Sequence, residues 1–533
     1  MSHFLVQRYL EEGAARAAQE RPAVVDSNAM LSYAELARAT NRLARGLREA
    51  GIRGGDRVAF CLERSTRPVV AVLGILKSGA AYVPVHRKTP PERMAAVFKD
   101  CAPCAVVCDS ATLAHVRSAI ALSGGAVRIV LLGASPAGAL AADPDVVFQR
   151  DIDALDDAPL DCDRVASSPA YLLYTSASTG HPKGVIVTHQ NIRDYIDWAA
   201  REFAVGAEDR VLGTAPFSFD MSTFDIFCPL KCGAALYIAP EAALVFPVEL
   251  VRFMERHRVT IWKGVSSLLM YMARTGAIGP ARVPSLRTVI FAGEVLPTKY
   301  LMEWMRTFPD KTFYNAYGPT ETTGVSACYR IPVMPDKPDD PIPIGKPRDR
   351  TTLLVLDEKR MPVPAGQPGE ICIGGAGVSP GYWNDEDLSR RAFCEITAGD
   401  GAPQRAFMTG DLGVLRADGH CLYLGRTDAQ VKIMGYRIEL GDIERVLSSV
   451  GWVRDAAVVV RPTEHAEMPE LVAFVELDGT RAGDDVAAEL AARLPPYMIP
   501  RRVVTLPRLP RTDRGKIDRQ LLMKRGLGDD AEC

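Results

Sequence analysis

The chain has 533 residues, 47% of them hydrophobic, and this length exceeds what one hydrophobic core usually serves. Its 63 lysine and arginine residues nearly balance 65 aspartate and glutamate residues, which gives no reason to expect a nucleic acid or an anionic membrane as partner. The N-terminus has no signal-peptide core and no apolar run reaches transmembrane length, so we expect a soluble, cytoplasmic protein of two or more domains.

The first part of the chain alternates between helix-like and strand-like segments. Residues 31–50 carry helical periodicity, and Ser32 with Glu35 gives the capping-box pattern for the start of a helix. Apolar runs that indicate buried strands lie at 58–62, 81–85 and 105–108. Strands that alternate with helices of this length predict an α/β domain with a largely parallel sheet, and the same alternation continues to about Glu321.

A hydroxyl-rich loop lies between apolar strands at 170–174 and 185–188. Its hydroxyl, glycine and lysine residues are Thr175, Ser176, Ser178, Thr179, Gly180, Lys183 and Gly184. Hydroxyls and backbone amides can surround anionic oxygens, glycine lets the backbone come close, and lysine neutralises charge, which together suit a polyphosphate. The spacing is not that of a P-loop, because glycine and not Ser or Thr follows Lys183. On composition alone, a solvated loop is an equally good interpretation.

The residue order Thr-Ser-x-Ser-Thr-Gly-x-Pro-Lys-Gly resembles the phosphate loop of the adenylate-forming superfamily. That superfamily includes acyl- and aryl-CoA synthetases, luciferases and the adenylation domains of nonribosomal peptide synthesis. The resemblance implies that this loop binds ATP and that Thr175 and Lys183 take part in catalysis. Where the family usually has glycine this chain has Ala177, which costs roughly 1 kcal/mol if the backbone there needs φ > 0. We expect weaker loop closure at most.

A second motif is the heptapeptide 315–321, Asn-Ala-Tyr-Gly-Pro-Thr-Glu. Taken alone it could be a turn with a core tyrosine. By resemblance, Tyr317 stacks on adenine, Asn315 reaches the exocyclic amine of adenine and Thr320 contacts the α-phosphate. Glu321 would hold Mg²⁺, a hard cation that prefers carboxylate and phosphate oxygens.

The composition changes after residue 332, where proline and aspartate become frequent. Short strand-like runs that predict a small, barrel-like, all-β unit lie at 351–356, 369–373 and 420–424. Within this unit, Asp411 resembles the family carboxylate that receives the two ribose hydroxyls, and Arg426 adds a nearby cation. A short aspartate suits a vicinal diol because its two oxygens accept two hydrogen bonds.

Beyond Gly425, about a hundred residues have strands and helices of their own, enough for a small separate domain. The resemblance implies a hinge at Asp428 and implies that Gly435 lines the passage for a thiol arm, since a residue without Cβ leaves room there. Lys516, in Thr-Asp-Arg-Gly-Lys, matches the catalytic lysine of the family. A mobile cation there can bridge the substrate carboxylate and the α-phosphate.

The segment 216–224, Pro-Phe-Ser-Phe-Asp-Met-Ser-Thr-Phe, resembles the amino-acid-activating branch, in which Asp220 pairs with the α-ammonium of the substrate. A buried carboxylate is poorly placed for a substrate without such a cation. By resemblance the pocket is lined by Asp220, Met221, Phe224, Lys263, Ile290, Ala292, Ala316, Gly324, Val325 and Lys516.

Two interpretations of Lys263 remain open. A pocket lysine suits a substrate with a carboxylate or amide side chain, as in aspartate- and asparagine-activating relatives. Alternatively, Lys263 pairs with Asp225 and leaves room for a small apolar amino acid. The segment 291–297 also looks like D-alanine–carrier protein ligases, which keeps alanine-sized substrates open.

We therefore expect a mixed α/β architecture. Residues 1–427 would form a large domain of helix-covered sheets, with a β-rich subdomain at about 332–427, and residues 428–533 a mobile α+β domain. No carrier-domain or condensation motif is found, so a free-standing enzyme is expected. It would use ATP and Mg²⁺ and load a separate phosphopantetheine carrier protein, in natural-product or antibiotic biosynthesis. An acyl- or aryl-CoA ligase and an inactive nucleotide-binding partner of a carrier protein are the alternatives.

Overall fold

The structure is a computed structural model that describes residues 4–133, 146–176, 182–279, 282–397, 401–428, 430–461, 469–478, 483–512 and 517–524. Its mixed α/β architecture confirms the predicted fold class. The helices are Tyr9–Arg16, Tyr33–Glu49, Arg67–Ser78, Pro91–Cys101, Leu113–Ser123, Gln149–Asp153, His189–Glu202, Met221–Cys232, Glu241–Val245, Pro247–Arg256, Ser266–Arg274, Thr298–Thr307, Glu386–Ala392, Leu440–Ser448, Gly483–Arg493 and Arg519–Lys524.

The predicted capping box is present at the start of helix Tyr33–Glu49. The Glu35 amide donates to Ser32 Oγ at 3.2 Å, and the Ser32 amide donates to Glu35 Oε2 at 2.8 Å. These two bonds satisfy amides that a helix start leaves without partners, which is why the helix begins where the pattern indicated.

The first sheet carries the hydroxyl-rich loop at one edge. In spatial order its strands are Val146–Phe148, Arg128–Leu131, Ala105–Cys108, Arg57–Cys61, Ala81–Pro84, Pro169–Thr175 and Lys183–Thr188. All neighbours pair in parallel except the last two, which form an antiparallel hairpin in which Thr175 lies opposite Lys183. The strand pairing therefore fixes both ends of that loop.

The second sheet holds the pocket segments. In spatial order its strands are Lys346–Pro347, Ala327–Arg330, Thr312–Tyr317, Thr288–Ala292, Ile261–Val265, Arg210–Gly213, Ala235–Ile238, Pro22–Val25 and Met30–Ser32. The central strands are parallel, and the edge pairs are antiparallel. Because the parallel strands share one direction, their carboxyl ends meet at one edge of the sheet, where ligands of such sheets bind.

A third, antiparallel sheet lies in the region where the β-rich subdomain was expected. Its strands are Thr351–Leu356, Pro368–Gly375, Gln404–Leu415 and Phe393–Ile396, with Cys421–Arg426 paired to Gln404–Leu415. This last pairing brings Asp411 opposite Arg426.

The C-terminal residues form a hairpin and a small sheet. The hairpin strands are Gln430–Ile433 and Tyr436–Glu439, and the sheet strands are Val453–Arg461, Glu470–Leu477 and Arg502–Thr505. A hydrophobic cluster that runs from Ile438 to Met498 belongs entirely to this segment. The division at Asp428 stays a prediction. Within the described residues, no helix combines the length and the apolar character needed to cross a membrane.

Candidate active site

The carboxyl ends of adjacent parallel strands bring pocket residues of the second sheet together. Lys263 lies beside Ile290 in the strand register, while Val265, Ala292 and Ala316 follow one another across three strands. The helix Met221–Cys232 starts directly after Asp220 at the same edge. Residues that are far apart in sequence therefore converge because the strands are parallel.

A cleft of about 140 Å³ lies between this edge, the hydroxyl-rich loop, the third sheet and the C-terminal hairpin. Many of the predicted site residues line it: Thr175, Ser176, Asp220, Met221, Lys263, Ala292, Ala316, Tyr317, Thr320, Gly324, Val325, Asp411, Arg426 and Gly435. Pockets for ligands are usually roughly 300–1,000 Å³. The cleft is smaller than this, and the hairpin residues Lys432, Gly435 and Arg437 form part of its wall.

Other predicted residues lie outside the cleft wall. Phe224 and Ile290 are completely buried. Asn315 and Asp428 line a separate, larger groove, and the Asn315 amide donates to the Pro343 carbonyl at 2.8 Å. Lys183 and Glu321 form a buried pair beside the cleft. The predicted residues Ala177, Ser178, Thr179, Gly180 and Lys516 lie outside the described residues.

Asp220 and Asp225 are the two acidic groups near the substrate end of the cleft. Burial raises the pKa of Asp220, although Lys263 and the Thr320 hydroxyl favour its charged form. Burial also raises the pKa of Asp225 to about 7, against the opposing influence of Lys263 and Arg64. Lys263 and Asp225 therefore favour each other's charged form, while burial opposes the ionisation of both.

Lys263 is 1% exposed, and burial lowers its pKa despite the nearby Asp225 and Asp220. Its Nζ faces the rings of Tyr195 and Phe224, 5.8 and 5.5 Å from their centroids. Among the residues that the structure describes, no carboxylate lies within 4.0 Å of the Lys263 ammonium. A buried cation that lines a cleft without an ion-pair partner is an available site for an anionic or amide oxygen.

Arg64 supports the loop that leads to Asp220. Its guanidinium donates to the carbonyl oxygens of Gly213, Ala215 and Ala239, and it lies 5.8 Å from the centroid of the Phe217 ring. It therefore links the loop after one strand of the first sheet to strand ends of the second, and holds the backbone that carries the candidate ammonium-binding carboxylate.

The nucleotide end of the cleft contains a hydrogen-bonded network. The Tyr317 hydroxyl donates to Asp411 Oδ2 at 2.6 Å, and Arg426 pairs with Asp411 Oδ1. Arg426 also donates to both oxygens of Asp428, at 2.7 Å each. This network links the predicted adenine, ribose and hinge residues. The Arg426 guanidinium holds the Asp411 carboxylate in one orientation, which suits a group that is expected to accept two ribose hydroxyls.

Glu321, the predicted metal ligand, is a fully buried carboxylate at the side of the cleft. Arg437 Nη1 donates to its two oxygens at 3.0 and 2.8 Å, the Tyr382 hydroxyl donates at 2.8 Å, and Lys183 Nζ lies 3.4 Å away. Burial opposes ionisation, but Arg437 and Lys183 together lower the pKa of Glu321 to about 2. A charged carboxylate oxygen fits Mg²⁺ chemically, but here these neighbours use its oxygens.

Two buried hydroxyls point to a ligand. Thr175 Oγ1 and Ser218 Oγ both belong to cleft-lining residues and have no hydrogen-bond partner in the part of the chain that the structure describes. Buried polar groups are normally paired, so partners from a bound molecule would satisfy them. Within the same residues no group of three or more His, Cys, Asp or Glu side chains could hold a metal ion, which leaves Glu321 as a single-carboxylate site.

Sequence reasoning did not assign several residues that the structure brings to the cleft. They are His86, Arg93, Ser218, Phe219, Lys432, Arg437 and Tyr497. Ser218 and Phe219 belong to the segment 216–224, and Lys432 and Arg437 lie close to Gly435, so sequence reasoning found these regions but not these side chains. His86, Arg93 and Tyr497 belong to no motif, and only the tertiary structure reveals them.

A larger groove of about 1,080 Å³ lies between the second sheet and the C-terminal segment. Residues 266–298 form one side of it, and residues 430–434 and 496–501 form the other. The two cavities adjoin, because the lining of both includes Gly293, Ala316, Tyr317, Gly318, Arg426, Gln430, Lys432 and Tyr497.

The AMP-binding enzyme family model matches residues 10–383, and the model of the AMP-binding enzyme C-terminal domain matches residues 442–516. A linear gramicidin synthase protein of Brevibacillus parabrevis is 35% identical over 94% of this chain. Tyrocidine synthase 3 of the same organism is 34% identical over 97%. The chain spans 9% and 8% of these two relatives.

Two solved structures are similar over almost the whole chain. The Vibrio cholerae adenylation domain AlmE, in complex with glycyl-adenosine-5′-phosphate, has a TM-score of 0.83 and 26% identity, covering 97% of this chain and 96% of that one. Holo-PA1221, an NRPS protein with adenylation and PCP domains, has a TM-score of 0.82 and 25% identity, covering 98% and 84%. The chain therefore belongs to the AMP-binding enzyme family, as an adenylate-forming ligase of the type found in nonribosomal peptide synthetases.

Proposed function

We propose that this chain activates an amino acid with ATP as aminoacyl-AMP and transfers it to the phosphopantetheine thiol of a separate carrier protein. The observation that carries the proposal is the convergence of Asp220, Lys263, Tyr317 and Asp411 on one cleft, where a carboxylate for an α-ammonium lies beside a predicted nucleotide network. The gramicidin and tyrocidine synthases and the adenylation–PCP protein support a role in peptide natural-product synthesis.

The substrate is proposed to be an amino acid with a carboxylate or amide side chain. Lys263 is buried, lines the cleft and has no carboxylate within 4.0 Å of its ammonium among the described residues. These observations favour this interpretation over a Lys263–Asp225 pair with a small apolar substrate. A substrate oxygen would then satisfy the ammonium.

In the first half-reaction Asp220 binds the α-ammonium and Lys263 the side chain. Tyr317 and Asp411 position the nucleoside, while Thr175, Ser176, Thr320 and Lys183 surround the phosphates. Glu321 would hold Mg²⁺, which would supply positive charge to the phosphate oxygens. The substrate carboxylate attacks the α-phosphate and pyrophosphate leaves, and Lys516 stabilises the charge that develops at the α-phosphate in this transition state.

In the second half-reaction the C-terminal domain, residues 428–533, rotates about Asp428. The larger groove is the proposed path for the pantetheine arm, because it adjoins the cleft that Gly435 lines. The thiol then attacks the carbonyl of the adenylate, and AMP leaves. Gly435 keeps the end of this path narrow but open, because it has no side chain.

The test is amino-acid-dependent exchange of labelled pyrophosphate into ATP, over a panel that includes aspartate, asparagine, alanine and proline. We expect the highest exchange with aspartate or asparagine, and a loss of at least roughly 100-fold in Lys516→Ala, because the lysine acts on the charge of the transition state. Lys524→Ala, an exposed lysine in the neighbouring helix, is the matched control and should exchange like the wild type.

No exchange with any amino acid would refute the function. Unchanged exchange in Lys516→Ala would refute the role of that lysine. Thioester formation with free coenzyme A, together with full activity of Asp220→Ala, would support an acyl- or aryl-CoA ligase instead.

A further inference from the structure

Arg437 reaches from the C-terminal hairpin across the cleft to Glu321. Its Nη1 donates to both carboxylate oxygens, at 3.0 and 2.8 Å, and the Glu321 side chain is completely buried. The backbone carbonyl of Arg437 also accepts a hydrogen bond from Ser176 Oγ at 2.8 Å. One residue of the hairpin thus engages a phosphate-loop hydroxyl and the candidate metal ligand at the same time.

These contacts engage both of the oxygens that Glu321 would offer to a metal–phosphate complex. Mg²⁺ demands near-ideal octahedral geometry at about 2.0–2.1 Å from its oxygen ligands. Here the Glu321 oxygens already accept bonds from Arg437 and Tyr382, with Lys183 Nζ 3.4 Å away. A guanidinium cation on the same carboxylate would also repel the metal ion. Arg437 also forms part of the wall of the cleft, on the same side as Lys432 and Gly435 of the hairpin.

We propose that Arg437 competes with Mg²⁺-bound phosphate at two places. Its guanidinium occupies the Glu321 carboxylate, and its backbone carbonyl occupies the Ser176 hydroxyl. The hairpin docks after Mg²⁺ has left with the pyrophosphate product, and bound Mg²⁺–ATP keeps it away. Mg²⁺ would thus neutralise the buried Glu321 carboxylate in the first half-reaction, and Arg437 would neutralise it in the second. This inference rests on the proposed function, because it assumes that Glu321 and Ser176 serve ATP.

The competition predicts tighter nucleotide binding when Arg437 is removed. If the docked hairpin excludes Mg²⁺–ATP, the measured Kd equals the intrinsic value divided by the fraction of molecules that are undocked. By calorimetric titration with ATP and excess Mg²⁺, without amino acid, we expect Arg437→Ala to bind at least about fivefold more tightly than the wild type. Arg437→Lys should lie between them, because it keeps the charge but not the planar fork. The difference in ATP affinity between Arg437→Ala and the wild type should shrink in EDTA, because no Mg²⁺ then competes with Arg437 for Glu321.

Arg454→Ala is the matched control, because Arg454 lies in the same C-terminal segment and pairs with Asp478 at an exposed site. It should bind ATP like the wild type. A second readout is hydrogen–deuterium exchange of the hairpin peptide around Gly435, whose amide donates to Glu294. Addition of Mg²⁺–ATP should speed this exchange in the wild type, because the hairpin leaves the cleft.

The outcomes separate the two proposals. A wild-type chain that does not bind ATP overturns the proposed function and the inference with it. A wild-type chain that binds ATP while Arg437→Ala and Arg437→Lys, both folded by circular dichroism, bind no more tightly overturns the inference alone. Unchanged exchange of the hairpin on addition of Mg²⁺–ATP overturns it as well.

Discussion

Single buried charges define what this cleft can accept, and Lys263 is the clearest of them. A buried ammonium without an ion-pair partner among the described residues carries a desolvation cost that a substrate oxygen can offset. Asp225 does not offset this cost through a close ion pair, because it lies more than 4.0 Å from the Lys263 ammonium. The cleft is therefore expected to reject a substrate that leaves the buried Lys263 ammonium without a hydrogen-bond or ion-pair partner.

Lys263→Met tests whether the Lys263 ammonium determines substrate specificity, because methionine keeps much of the side-chain volume and removes the charge. We expect kcat/KM for an acidic substrate in pyrophosphate exchange to fall by about 10²–10³, equivalent to roughly 3–4 kcal/mol for a buried charge pair. The value for alanine should not fall. The control is Lys337→Met, an exposed lysine. Equal losses with aspartate and alanine would show that Lys263 supports the fold and not specificity.

At the scale of elements, the docked position of the hairpin depends on one glycine. Gly435 has φ of +79°, and a Cβ added to it would lie 2.4 Å from Val265 Cγ1. Its amide donates to Glu294, and the neighbouring Tyr436 packs edge-to-face on Phe219 with ring centroids 4.8 Å apart. A side chain at this turn would therefore clash with Val265 when the hairpin is docked.

Gly435→Ala should disturb docking more than folding. The methyl group costs about 1 kcal/mol in backbone conformation and also clashes with Val265. We expect aminoacyl transfer to the carrier thiol to fall at least roughly tenfold, and more than pyrophosphate exchange falls. Gly435→Ala with Val265→Ala should recover part of the loss. Gly441→Ala, where an added Cβ meets nothing within 4 Å, is the control. Equal losses in both half-reactions would contradict the assignment.

Local sequence patterns predicted most of the helices and strands, but not which strands pair with each other. The capping box of Ser32 and Glu35 and the apolar run at 105–108 need only neighbouring residues, and both appear where the patterns placed them. By contrast, Pro22–Val25 pairs with Ala235–Ile238, a segment far along the chain, and no local signal records that pairing. The same limit applies to the cleft: motifs indicated the hairpin segment, but the contact of Arg437 with Glu321 depends on how the C-terminal segment meets the rest of the chain.

At the scale of the whole molecule, the C-terminal segment contacts the rest through polar pairs as well as aromatic rings. Arg93, in helix Pro91–Cys101, lies 3.6 Å from Asp442, whose side chain is 2% exposed. Arg445 also pairs with Asp442 from its own helix, at 3.3 Å. If the C-terminal segment moves away from the rest of the chain, Asp442 keeps its ion pair with Arg445 and its carboxylate becomes solvated. Loss of Arg93 should therefore favour undocking and leave the fold of each part intact.

A double-mutant cycle of Arg93→Ala and Asp442→Asn measures this coupling. We expect each single variant to raise hydrogen–deuterium exchange of the hairpin around Gly435 severalfold, and the double variant to add little, which corresponds to a coupling of about 1 kcal/mol. The main thermal transition should stay within about 2 °C of the wild type, since the lost contact joins two separately packed clusters. Fully additive effects on exchange, or a large fall in the melting temperature of Arg93→Ala, would show that this pair stabilises the fold and does not control docking.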